Sequence, residues 1–213
     1  MEYSISIRIT FPEEITQVLR SEKERFVNEH GSSYKSEPHV TLYLDRYTAE
    51  GYPKLLKGLR ALQVRPFVFS LIAPKMKVDK ARHRNLYFMD VSNKSQITEL
   101  HEAISKIAIP YRSPLVRDKT IQQLRSEEIV TDGTRESLKA LGISEEIFDP
   151  HITLGEIDFD KPQVNIAILQ KDLVAIEGKE ISVSSVATFF YKKEDGAEKA
   201  QLIEELTVPF LPN

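Results

Sequence analysis

The stretches EPHVTLYL and DPHITLGE place His39 two residues before Thr41 and His151 two residues before Thr153. The chain has five histidines, so two of them sit in one repeated local pattern. Side chains two apart on a strand point the same way. Each stretch therefore sets an imidazole beside a hydroxyl on a rigid element, with Val40, Leu42 and Leu44, or Ile152 and Leu154, on the opposite face. Strict alternation also puts Tyr43 in step with His39 and Thr41, and Gly155 in step with His151 and Thr153. Pro38 and Pro150 bias the residues before them toward extended geometry and start each strand cleanly.

Two imidazoles facing one another suit phosphodiester transfer or hydrolysis. A neutral histidine removes a proton from water or a ribose hydroxyl, and a protonated one supplies a proton to the leaving oxygen. The threonine hydroxyls can donate to the non-bridging oxygens where charge grows. One such motif alone is a weak signal, since a lone histidine in a strand is commonly structural. Two copies at equivalent places are a strong one.

The elements that must position them alternate. YSISIRITF alternates Tyr3, Ile5, Ile7 and Ile9 with polar residues, the mark of a half-buried strand. Pro12 opens a helix carrying Ile15, Leu19 and Phe26 on one stripe. The first motif strand follows, then a helix through Leu55, Leu56, Leu59 and Leu62 and the strand PFVFSLIA. The order then recurs: strand RNLYFMDV, a helix through Ile97, Leu100, Ile104 and Ile107, the second motif strand, a helix opened by Pro162, and one long strand, EISVSSVATFFYK. AQLIEELTV closes the chain as a strand. The halves read as duplicated, except that the second carries about 30 extra residues before its motif. That surplus, at about 111–148, reads as a helical insertion in a single bilobal domain spanning 1–213.

The pair HVTL and HITL on duplicated strands resembles the two-histidine (2H) phosphoesterases, which include the 2'-5' RNA ligase-like proteins and the cyclic phosphodiesterases. The resemblance covers nearly the whole chain apart from the insertion. It implies an α+β, bilobal fold with two antiparallel sheets around a central cleft and helices packed outside. It also implies His39 and His151 as the acid–base pair, with Thr41 and Thr153 on phosphate. Family members act without metal on 2',3'-cyclic phosphates, 2'-5' linkages or related nucleotide phosphodiesters. The partner so implied is an RNA end or a small nucleotide. Joining RNA ends through a 2'-5' bond uses the same groups in the other direction, and a lapsed nucleotide- or RNA-binding module is a further reading that both intact motifs count against.

Other residues bear on substrate binding. Tyr43 either lines the cleft or packs in the core. Arg84, with Lys80, Arg82 and His83, lies in a turn that either overhangs the cleft or is a solvated hairpin tip. Tyr111, Arg112, Arg117 and Lys119 open the insertion and suit base stacking and phosphate contact. In ATFFYKK, Phe189 and Tyr191 alternate against Phe190, and one of these faces either forms a base platform or, as the better expectation, packs in the core. His30 sits at a helix end before Gly31, where the dipole favours it, and His101 reads as a surface residue. Glu37 and Asp149 precede the motifs, but no tight His/Asp/Glu spacing supports a metal, so neither metal nor cofactor is expected.

Composition sets outer bounds. With no cysteine, disulfides, thiolate nucleophiles and cysteine zinc sites are excluded. A formal net charge of -3 argues against duplex binding through a broadly basic surface. No apolar run is long enough to span a bilayer and no signal-peptide core opens the chain, so a cytoplasmic protein away from the membrane is expected.

Overall fold

The computed structural model describes residues 2–32, 36–80, 83–113, 148–193 and 201–210. Strand β1 (Glu2–Ile9) leads into helix α1 (Glu13–His30), strand β2 (Val40–Tyr47), helix α2 (Gly51–Arg60), strands β3 (Phe67–Asp79) and β4 (Arg84–Val91), and helix α3 (Lys94–Ala108). A 3₁₀ turn at Ile109–Tyr111 ends that run. Strand β5 (His151–Asp158), helix α4 (Ile166–Leu173) and strands β6 (Glu180–Val183), β7 (Ser185–Lys193) and β8 (Gln201–Pro209) complete it. The insertion beyond Ser113, with Arg117 and Lys119, lies outside the described residues.

Local chemistry accounts for the helix ends. Pro12 stands at the start of α1, followed by Glu13 and Glu14, whose charge favours an N-terminal turn. The helix stops where Gly31 adopts φ 66, a left-handed conformation that glycine enters at no steric cost. Helix α4 begins later than Pro162 suggests, because the Asn165 side chain accepts the Ala167 N–H at 2.9 Å and sets the cap there. Ile15, Leu19 and Phe26 are buried as their spacing predicts. Leu62 is buried too, but beyond the end of α2.

The eight strands among the described residues form one antiparallel sheet, in the order β6-β3-β4-β5-β2-β1-β7-β8. This corrects the expectation of two separate sheets. The four strands on one side meet the four on the other through a single pair, Val40 with Ile152. The expected long strand at 180–192 is also corrected. It breaks at Ser184, so β6 pairs with β3 and β7 pairs with β1. A one-residue link between strands so far apart in the sheet order requires the sheet to curl.

The helices cover one face. Ile5, Ile7, Ile9, Val40, Leu42, Ile152, Leu154 and Phe190 point into that core with Leu19 and Phe26 of α1 and Leu100 and Ile104 of α3. His101 belongs there as well, at 1% exposure, and not on the surface as its place in an amphipathic helix suggests. Its Nδ1 donates to the Leu42 carbonyl at 2.6 Å and its ring stacks on Phe148 at 3.9 Å. No helix among the described residues is long and apolar enough to cross a membrane.

Candidate active site

Val40 and Ile152 both turn into the core. Strand alternation therefore sends His39, Thr41, His151 and Thr153 to the opposite face, next to the only seam between β2 and β5 among the described residues. The antiparallel register around that pair sets His39 level with Thr153 and Thr41 level with His151. His39 is 7% exposed, while Thr41, His151 and Thr153 are partly exposed.

Both imidazoles are oriented by the same device. His39 Nδ1 donates to the Glu37 carbonyl at 2.6 Å, and His151 Nδ1 donates to the Asp149 carbonyl at 2.6 Å. A carbonyl can only accept, so each ring carries its proton on Nδ1 when neutral and its Nε2 is then unprotonated. On His39, that Nε2 meets the Thr41 hydroxyl at 3.0 Å. Burial, and then the nearby charge of Arg8, push the His39 pKa down to about 3. His39 is therefore neutral near pH 7, with its Nε2 unprotonated.

The residues whose carbonyls hold the rings are tied down through their side chains. Asp149 pairs through its carboxylate with Lys94 at 2.6 Å, and Lys94 also reaches Asp90 at 2.7 Å. Asp90 stands opposite His151 on β4 and also pairs with Lys75. Burial alone would raise the Asp90 pKa, but the hydrogen bonds from Lys75 and Lys94 outweigh it and hold the carboxyl below its ordinary range. On the other side, Glu37 pairs with Arg20 at 3.0 Å.

Beyond each threonine the register shifts. On β2, Thr41 pairs with Arg8 but Tyr43 pairs with Ile7; on β5, Thr153 pairs with Phe88 but Gly155 pairs with Tyr87. An extra residue in one strand reverses the facing of everything that follows. Tyr43 is thereby turned into the core at 1% exposure, with its hydroxyl on Asp45 at 3.2 Å. Of the two places open to it, lining the cleft or packing in the core, Tyr43 takes the core. Gly155 is turned the same way and lies against the Phe26 ring.

The remaining substrate-binding candidates separate. Arg84 lies on the histidine-bearing face two strand repeats from Phe88, paired with Glu156. Arg112 pairs with Tyr47 across an isolated bridge and so shares its helix-side face, where its charge is felt by the Tyr43 and Tyr47 hydroxyls. Tyr111 packs against the core, with its carbonyl against Gly51 of α2. These two therefore lie on the helix side of β2, along which the chain leaving α3 runs.

The face carries residues that the motifs did not announce. Arg8 stands opposite Thr41 and Phe88 opposite Thr153, with the Phe88 ring 5.1 Å from that of His151. Phe189 and Tyr191 alternate with the fully buried Phe190, so they join this face instead of the core. The alternation in YSISIRITF already put Arg8 opposite the apolar stripe, which was the available signal for it. Among the described residues, no three His, Asp or Glu side chains converge to hold a metal ion.

No protein-family model matches the sequence, and no curated protein does so either. Solved structures do match over the full length. E. coli LigT complexed with phosphate is 10% identical, covers 98% of this chain and 98% of its own, and has a TM-score of 0.56. TT0787 of Thermus thermophilus is 16% identical, with 97% and 98% covered and a TM-score of 0.57. A protein described as a phosphoesterase is 13% identical, with 97% and 98% covered and a TM-score of 0.53. Over nearly its whole length, the chain has the fold of these solved structures, E. coli LigT and the phosphoesterase among them.

Proposed function

We propose that the protein is a two-histidine phosphodiesterase acting on 2',3'-cyclic phosphate or 2'-5'-linked nucleotides and RNA ends. The observation that carries this reading is the shared orientation of the two histidines. Each gives its Nδ1 proton to the carbonyl two residues earlier and sits with a threonine on one face of the sheet. The recurrence of the same register shift after Thr41 and Thr153 supports reading the two halves of the sheet as a duplicated unit.

In hydrolysis of a cyclic phosphate, His39 Nε2 takes a proton from water as the new P–O bond forms. His151, protonated, gives its proton to the ribose oxygen as the old P–O bond breaks. The two rings then return to their starting states by exchange with solvent. Thr41 and Thr153 turn their hydroxyls to the non-bridging oxygens, where charge develops. Two proton transfers and two hydrogen-bond donors complete the step with protein groups alone.

The test is a screen of purified protein against 2',3'-cyclic nucleotides, 2'-5'-linked oligonucleotides and 3',5'-cyclic nucleotides with EDTA present. Turnover of the first or second class is the expected result. Inertness toward all of them contradicts the reading.

A further inference from the structure

Arg8 is held in place by neutral groups. Its guanidinium lies 4.5 Å over the centre of the Phe189 ring. Its Nε donates to the Ser6 hydroxyl at 2.7 Å, and a terminal nitrogen donates to the Tyr191 hydroxyl at 3.3 Å. These bonds use two of the five N–H donors of an arginine. Tyr191, accepting from Arg8, keeps its own proton for another acceptor. Among the described residues, no carboxylate pairs with Arg8. A partly buried cation without a counter-charge is costly, and an anionic ligand removes the cost.

Its placement says which anion. Arg8 is opposite Thr41, but its side chain runs back toward Ser6, which is opposite Leu44 and Phe189. That direction leads away from His39 and across to β7. Neighbouring strands are about 4.8 Å apart, so a guanidinium between β1 and β7 is offset by one to two strand spacings from the Thr41–Thr153 line. It lies beyond the line of the two motif threonines. At the matching place on the other side, Phe88 stands opposite Thr153 and offers an apolar ring. The site is thus cationic at one end and aromatic at the other.

We infer that Arg8, Tyr191 and the Phe189 ring form a second anion subsite, which binds a phosphate adjacent to the one that reacts. The favoured substrate is then a nucleotide that carries a further phosphate beside its cyclic or 2'-5' phosphodiester. This inference rests on the phosphodiesterase reading and names the substrate class within it. Arg8 stands opposite Thr41 on the neighbouring strand, which places the subsite next to the motif residues.

The experiment compares calorimetric binding of 3'-AMP and adenosine 3',5'-bisphosphate at matched ionic strength. It is run alongside turnover of adenosine 2',3'-cyclic phosphate with and without a 5'-phosphate. The wild type is expected to bind the bisphosphate about tenfold or more tightly than 3'-AMP, as one charged hydrogen-bonding group predicts. Arg8→Gln is expected to lose that difference, and Arg8→Lys, which keeps charge but not the fork, to retain part of it. Tyr191→Phe lowers the preference without touching the charge, and decides the matter if Arg8→Gln does not fold. Equal affinities in the wild type, or an intact preference in folded Arg8→Gln, overturn the subsite even if both cyclic compounds are hydrolysed. An Arg8-dependent preference with no turnover of either supports the subsite and removes 2',3'-cyclic phosphates from the phosphodiesterase reading, leaving 2'-5' linkages as its substrate.

Discussion

Val40 and Ile152 form the one residue pair that joins β2 to β5 among the described residues, and both side chains are fully buried. Everything next to that pair on the other face is an imidazole or a threonine. The two strands then part, and helices serve the carbonyls near the parting: His101 donates to Leu42 at 2.6 Å and Lys23 donates to Thr153 at 2.9 Å.

Lys23 is 4% exposed, and burial pulls its pKa down to about 7, against the raising effects of Glu37 and Glu156. The unfolded chain holds this proton to higher pH than the folded one. Stability therefore rises with pH from about 7 toward the ordinary lysine value near 10.5. With each pKa unit worth about 1.4 kcal/mol, the gain is on the order of a few kcal/mol. Urea titrations across this range are expected to show the rise in the wild type and a flatter profile in Lys23→Met.

His39 makes an acid counterpart. Its folded pKa of about 3 lies below the ordinary 6.5, so the unfolded state binds more protons between those values. The stability contribution is full above about 6.5 and declines as pH falls toward about 3. Urea midpoints measured across this window are expected to fall less steeply with acid in His39→Gln than in the wild type.

Gly155→Ala is expected to destabilise the fold by about 1–3 kcal/mol, the usual cost of overpacking. A Cβ there falls 2.7 Å from Phe26 Cγ and closer still to Cδ1, so helix α1 and β5 must separate. Chemical denaturation measures the loss, and adding Phe26→Leu is expected to recover part of it.

Thr41→Val and Thr153→Val each remove a hydroxyl with little change in shape. Each is expected to lower kcat on a 2',3'-cyclic nucleotide by up to about 10²–10³-fold, the range for loss of one donor to a developing oxyanion. Unchanged kinetics in the double variant removes the hydroxyls from the mechanism.

The sequence made the four motif residues legible because period-2 alternation needs no tertiary information. It also announced β4 at Arg84–Val91 to the residue. Alternation failed just beyond the motifs. The register shifts that turn Tyr43 and Gly155 inward arise from pairing with β1 and β4, which a single strand does not display. His101 read as a surface residue for a related reason, since its partner is a backbone carbonyl on a distant strand. The break at Ser184 was hidden because β6 and β7 are each apolar in the right rhythm, and only the curl of the sheet separates them. Tyr111 and Arg112 have the composition of a nucleotide contact, but the exit path from α3 sets their face.

The most direct test of the central claim is the rate of 2',3'-cyclic nucleotide hydrolysis by His39→Ala and His151→Ala, with EDTA present and folding checked by circular dichroism. Each variant is expected to lose about 10²–10⁴-fold, the range for removal of a general acid or base. The wild type is expected to show a bell-shaped pH profile, since one ring must be neutral and the other charged. A folded variant of either histidine that keeps activity within a few-fold of the wild type contradicts the two-histidine mechanism.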